Sequence, residues 1–154
     1  MTTDSIPPAG VSAHSWHASI ASSYVLFTPV DLIREVYARY TTGDRKGVTA
    51  LLSPEIEITH ASDLPWGGRF LGHAGARRFY CLLHRHTDAS LEPRSFLLAG
   101  SEIAVGGKFS GVARASGKPF SIDMVQFWTV SKGRAVRCAS FIDVPAMRRA
   151  LAVD

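Results

Sequence analysis

From Phe120 to Val130 every second residue is apolar with one exception: Phe120, Ile122, Met124, Gln126, Trp128 and Val130 fall in one row. Alternation over that length specifies an extended strand with one buried face, because successive side chains of a strand point to opposite sides. Two further runs repeat the pattern. Ile56, Ile58 and His60 share a row in the stretch from Glu55, and Val136, Cys138, Ser140 and Ile142 share one between Ala135 and Asp143. Each apolar row is interrupted by one hydrogen-bonding side chain. A polar group among buried neighbours costs free energy unless a partner or a ligand satisfies it. Three of them on one sheet predict a pocket.

The strands follow helices. Thr28-Pro29-Val30-Asp31 reads as a capping box with proline at the first helical position, opening a helix to about Thr42. Leu32, Val36 and Tyr40 recur at helical spacing, Ile33 and Tyr37 widen the stripe, and Glu35 and Arg39 can pair one turn apart. Gly43 ends that helix, and Asp44 caps a short second one that stops before Pro54. After the His60 strand, residues 61–70 read as an irregular loop. A third helix, His73 to His86, then buries Ala76, Phe79, Tyr80 and Leu83. Strands are expected at about 92–99, 102–114, 119–130 and 134–142, joined by turn residues at Gly100, Ser116-Gly117-Lys118 and Ser131-Lys132-Gly133. Asp143 caps a last helix, Val144 to Leu151. Helices followed by an antiparallel meander give an α+β fold, a curved antiparallel sheet wrapped over N-terminal helices as a cone. Gly106, Gly107 and Gly111 fit bends in the long strand.

Length and composition bound the function classes. The 154 residues suit one domain, with 46% hydrophobic and 19% charged residues as in a globular chain. Residues 1–27, rich in Ser, Ala and Pro, read as a flexible arm, and 28–154 as a single cone domain. No apolar run approaches the roughly 18 residues that cross a bilayer. Val25-Leu26-Phe27 is too short for a signal peptide, and Cys81 and Cys138 read as buried free thiols, so a cytoplasmic location is expected. The net charge of +4 and the pairs Arg77-Arg78 and Arg148-Arg149 read as solvated helix faces, not as a nucleic-acid surface. His84 and His86 point to different helix faces and form no metal pair; neither a metal nor a cofactor is expected.

The order of these elements, with Tyr37 to Gly43-Asp44, Leu51-Leu52 to His60, Leu64-Pro65-Trp66-Gly67-Gly68, Leu71-Gly72, Val125 to Arg134 and Phe141-Ile142-Asp143, resembles the nuclear transport factor 2-like superfamily. Within it the chain is most similar to SnoaL-like and ketosteroid-isomerase-like proteins, over about residues 29–151. The resemblance implies a cone with an apolar interior and a homodimer formed through the convex sheet face. Ketosteroid isomerases place a carboxylate base where His60 stands here. Their oxyanion-stabilising acid, a histidine in SnoaL-like cyclases, matches Gln126. The essential aspartate of those cyclases and of limonene epoxide hydrolases matches Ser140. The isomerases' helix tyrosine falls near Val36, with Tyr37 and Tyr40 as substitutes. Every carboxylate used by those three chemistries is absent at the matching positions.

His60 is the one side chain at these positions whose ordinary pKa, about 6.5, suits proton transfer near neutrality. Among Ile56, Ile58, Trp66 and Phe79 it should stay neutral; the alternative is a strand-end histidine bonded to backbone or solvent. Gln126 could polarise a carbonyl or enolate, or satisfy a sheet bulge. Ser140 could bind a ligand oxygen or be satisfied locally. Trp66 either lies across the pocket mouth or plugs the core, and of Tyr37 and Tyr40 one reaches the pocket. Asp123 faces away from Gln126 and is expected on the outer surface. The reading is a cofactor-free isomerase, cyclase or dehydratase that moves a proton on a hydrophobic, oxygenated small molecule. His60 and Gln126 are its catalytic pair, and Tyr40, Trp66, Phe79 and Ser140 contact substrate. The alternative is a non-catalytic small-ligand-binding or interaction module of the same fold.

Overall fold

The structure is a computed structural model and describes residues 28–154. The expected N-terminal arm lies outside the described residues. Helix α1 spans Pro29–Thr41 and starts as its sequence specifies, the Thr28 hydroxyl accepting the Asp31 N–H at 3.2 Å. Glu35 and Arg39 meet at 2.9 Å on its surface, while Leu32, Ile33, Val36 and Tyr37 are buried. Helix α2, Arg45–Leu51, is capped by Asp44, whose carboxylate accepts the Gly47 N–H at 2.9 Å. Strand β1, Leu52–His60, leads to β2, Gly68–Leu71, and then to helix α3, Gly72–His86. Strands β3 (Thr87–Ala99), β4 (Glu102–Ala113), β5 (Pro119–Ser131) and β6 (Arg134–Ile142) follow. Helix α4, Val144–Leu151, is capped by Asp143 through the Ala146 N–H at 3.0 Å.

The six strands form one sheet in the order β2-β1-β6-β5-β4-β3. It is mixed: β1 runs parallel to β6, and every other neighbouring pair is antiparallel. The parallel junction brings the first long strand against the last. Helices α1 and α3 cover the concave face with Ile33, Val36, Tyr37, Ala76, Phe79 and Leu83. They meet Ile103, Val105 and Phe109 of β4 and Ile122, Met124 and Trp128 of β5 in a single core.

Bending has a local cause. The β3–β4 ladder slips between Pro93 and Ser95, opposite Gly106 and Gly107. A Cβ at Gly107 would lie 2.2 Å from the Glu92 carbonyl oxygen, so only glycine lets the two backbones approach this closely. Pro93 is tolerated because β3 is an edge strand. The β5–β6 hairpin turns on Lys132 and Gly133, with φ of 51° and 73°, the left-handed pair of a type I′ turn.

Four expectations need correction. Residues 68–70, read as the end of a loop, form β2 together with Leu71 and pair with β1, Ile58 opposite Phe70. Strand β3 begins at Thr87 instead of about 92, because its polar start pairs with residues 109–113. A register shift after Thr129 puts Ala135, not Val136, in the core at the start of β6, and the expected row resumes at Cys138 and Ser140. Of the two thiols, Cys138 is buried and Cys81 is exposed.

Candidate functional site

The sheet order sets three chemistry-bearing residues side by side. Gln126 of β5 pairs directly with Ser140 of β6. On the other side of β6, Thr59 pairs with Ala139, so the next step of the register puts His60 level with Ser140. Residues in one row across neighbouring strands point to one face. Here that face is the concave one, and His60, Ser140 and Gln126 turn toward the interior together.

They line two adjoining cavities. The outer, about 40 Å³, is bounded by Tyr37, Tyr40, Ile58, His60, Phe79 and Gln126, with Trp128 and Cys138 behind. The inner, about 20 Å³, is bounded by His60, Trp66, Phe109, Met124, Gln126 and Ser140. His60 and Gln126 belong to both and stand at the partition. These volumes hold a few water molecules. An organic ligand therefore needs the apolar walls to part, and Leu91, which borders both cavities from the edge strand β3, is only half-buried.

A directed chain of hydrogen bonds crosses this face. The Trp128 indole N–H donates to the Tyr37 hydroxyl at 3.0 Å. The Tyr37 hydroxyl donates to Gln126 Oε1 in a very short contact, and Gln126 Nε2 donates to Ser140 Oγ at 3.2 Å. An indole can only donate, so it sets the direction of the series. Tyr37 must accept from Trp128 and pass its own proton on, which requires the amide oxygen to face it and the amide nitrogen to face Ser140. Two hydrogens remain without an acceptor among the described residues: the second N–H of Gln126 and the hydroxyl hydrogen of Ser140. Gln126 and Ser140 are each 6% exposed, so both hydrogens are offered inside the fold. The inner cavity thus presents donors to an oxygen that accepts.

His60 is the opposite kind of group. Its ring stacks on Phe79 with centroids 4.4 Å apart and planes at 23°. Among the described residues nothing hydrogen-bonds the imidazole, although part of the ring reaches solvent. Desolvation pushes its pKa down from 6.5 to about 4, with no carboxylate in range to oppose it. At neutral pH it is an uncharged base facing the cavities. Burial likewise raises the Tyr37 and Cys138 pKa values, keeping phenol and thiol protonated.

The remaining expected residues fall as follows. Trp66 is 1% exposed and packs edge-on against Phe109 at 6.3 Å, so it walls the inner cavity and does not lie across a mouth. Phe79 floors His60, and Tyr40 edges the outer cavity, tilted on Tyr80 at 5.5 Å. Asp123 is exposed on the outer face and pairs with Lys108 at 2.7 Å. Tyr37 and Tyr40 both line the outer cavity, where only one was expected to reach it, and Trp128 joins the site unannounced by a strand pattern that marks it as core. The partnership of Tyr37 with Trp128 joins residues 91 positions apart. Tyr37→Phe should cost about 1–3 kcal/mol, because it orphans the indole N–H and the amide oxygen at once. Denaturant unfolding of Tyr37→Phe, Gln126→Met and the double variant, treated as a thermodynamic cycle, measures the coupling.

Among the described residues no group of three or more His, Cys, Asp or Glu side chains could hold a metal ion. None of their helices is long and apolar enough to cross a membrane.

This architecture recurs in known proteins. A nuclear transport factor 2-like protein of unknown function from Burkholderia pseudomallei has 28% sequence identity, with 79% of this chain and 95% of that chain covered at a TM-score of 0.74. TerC, co-crystallized with polyporic acid, has 27% identity, with 79% and 96% covered at a TM-score of 0.72. A Pseudomonas putida protein designated a polyketide cyclase shares the fold at 20% identity, with 81% and 98% covered and a TM-score of 0.71. No curated protein matches the chain. The SnoaL-like domain family model matches residues 33–138, from the first helix through β6 to Cys138. The chain belongs to the SnoaL-like family, with the nuclear transport factor 2-like, ketosteroid-isomerase-like fold.

Proposed function

We propose that this protein is a cofactor-free enzyme that moves a proton on a hydrophobic, oxygenated small molecule, in an isomerisation, cyclisation or dehydration. The observation that supports this reading is the pairing of an uncharged, unpartnered imidazole with two unused donors around one partition. A carbonyl oxygen seated on Gln126 Nε2–H and Ser140 Oγ–H gains negative charge as an adjacent carbon loses its proton, and hydrogen bonds strengthen with that charge. His60 takes the proton. Tyr40, Trp66 and Phe79 supply apolar contact, and TerC's polyporic acid is an example of an organic ligand on this fold.

Proton abstraction leaves a trace that needs no knowledge of the product. In D2O the protein should catalyse deuterium incorporation at carbons next to the carbonyl of aromatic or polycyclic ketones, followed by NMR. Absence of catalysed exchange across such a panel, with ligand binding retained, points to the second reading, a non-catalytic small-ligand-binding module. That alternative is favoured by the missing carboxylates and the narrow cavities.

The protein is further proposed to act as a cytoplasmic homodimer. On the convex face Phe127 and Phe141 pack edge-to-face at 5.8 Å beside Val125, and Phe141 is 58% exposed. An apolar cluster in that position suits a second copy. Phe141→Asp should convert a dimer to a monomer in analytical ultracentrifugation.

A further inference from the structure

A second, wider hollow lies against the same Tyr40 and Leu91 side chains that line the outer cavity. This vestibule, of about 220 Å³, has Arg45 and His84 among its other walls. Its chemistry differs from the interior. Arg45 stands at the start of α2, immediately after the turn at Gly43, whose φ of 76° redirects the chain. Burial raises the Tyr40 and Tyr80 phenols and lowers the His84 imidazole; the charge of Arg45 partly offsets the rise at both phenols and adds to the fall at His84. Arg114, which donates to the His84 carbonyl at 2.7 Å, adds to the field on that imidazole, and Asp88 is the carboxylate that opposes it.

A neighbouring depression bordered by Tyr80 brings Arg45 together with Lys46 and Arg77. None of these three cations forms an ion pair among the described residues, whereas the Glu35, Glu57, Glu92, Asp123 and Asp154 carboxylates are paired elsewhere. Asp44, adjacent in sequence, points its carboxylate at the α2 backbone. Arg45 thus places an unpaired guanidinium on the wall of the vestibule, with Lys46 and Arg77 in the depression beside it, while the apolar cavity offers neutral donors at its far end.

We propose that the vestibule is an anion subsite: the molecule taken up between His60 and Gln126 bears a carboxylate that rests against Arg45, at the end opposite its carbonyl. The inference rests on the reading of the cavity as a substrate site. A guanidinium presents a planar fork of donors that matches a carboxylate, and beside an apolar wall the pair is less screened than on open surface. The carboxylate also gives polarity to an otherwise greasy ligand, so that it enters carbonyl first.

Two probe pairs of different length separate the two ends of the site: 4-acetylbenzoate and 4′-acetylbiphenyl-4-carboxylate, each against its methyl ester. Calorimetric titration at low ionic strength should show at least one acid binding about tenfold tighter than its ester. Arg45→Gln should bring that ratio close to one by weakening the acid alone, and Arg45→Lys should restore part of it. Arg148→Gln, on α4, should leave the ratio unchanged, and Gln126→Ala should weaken acid and ester alike. Equal affinity for acid and ester at both lengths overturns the subsite, as does an equal loss of preference in Arg148→Gln and Arg45→Gln. If neither acids nor esters bind the wild-type protein, the cavity reading itself fails and takes the subsite with it.

Discussion

Replacing His60 with phenylalanine should lower catalysed deuterium exchange by about 10²–10⁴-fold, the usual contribution of a general base, while the fold persists. Phenylalanine keeps an aromatic ring on Phe79, where the imidazole now stacks at 4.4 Å, so the loss would be chemical and not structural. The pH profile provides an independent signature. The neutral imidazole is the active form, and its pKa is pushed down to about 4 by burial. Wild-type kcat/KM should therefore hold steady through pH 6 and fall only as pH approaches about 4. An acid limb centred near 6.5, or exchange that survives the substitution, removes His60 from the mechanism.

The same depressed pKa makes a stability statement with a definite sign. Unfolded, the histidine titrates near 6.5. Folded, it titrates at about 4. Below pH 6.5 the unfolded chain binds a proton that the folded chain refuses, so the His60 contribution to stability declines as pH falls from 6.5 to about 4 and then levels off. The ceiling on this loss is on the order of 3 kcal/mol, reduced because the ring edge meets solvent. Chemical denaturation at pH 7 and pH 4.5 should show a smaller pH dependence in His60→Phe than in wild type.

Gln126→Met should have the second large effect, on rate and stability together. Removing one oxyanion donor costs about 10²–10³ in kcat. The thioether fills similar space but accepts only weakly from Tyr37 and cannot donate to Ser140, so a buried phenol loses its strong acceptor. That cost is about 1–3 kcal/mol per orphaned group, with a matching drop in the denaturant midpoint. The two readouts separate the roles. A variant that loses stability but keeps full exchange activity would show Gln126 to be a strut of the core, with no part in polarising a carbonyl.

Much of the frame was legible because it is locally specified. Thr28, Asp44 and Asp143 cap their helices through hydrogen bonds that span three residues. The row from Phe120 to Trp128 needed no partner to identify its buried face, and its alternation places Gln126 inside and Asp123 outside. Strand β2 was illegible for the converse reason. Gly68-Arg69-Phe70-Leu71 has too few residues to show a period and becomes a strand only by pairing with β1. The start of β3, Thr87 to Leu91, is polar and short of β-formers, and is extended because β4 lies beside it.

The site divides in the same way. The family resemblance and the apolar rows singled out His60, Gln126 and Ser140 as interior polar groups. Neither could say which tyrosine of α1 reaches them. Tyr37 and Tyr40 are three residues apart on one helical stripe, and only the position of α1 over β5 sets Tyr37 between Trp128 and Gln126. Trp66 could be mouth or core until the fold of its loop was known.

By itself, the sequence determined the helices, their caps, the long strands and the inward direction of each polar side chain, since those follow from contacts and periodicities a few residues long. The tertiary structure alone decided that β1 lies parallel against β6, which brings His60 level with Ser140 and next to Gln126. It also decided that an indole orients the amide from the far side of the core. Those are long-range pairings, and no local propensity specifies which distant strand or helix supplies the partner.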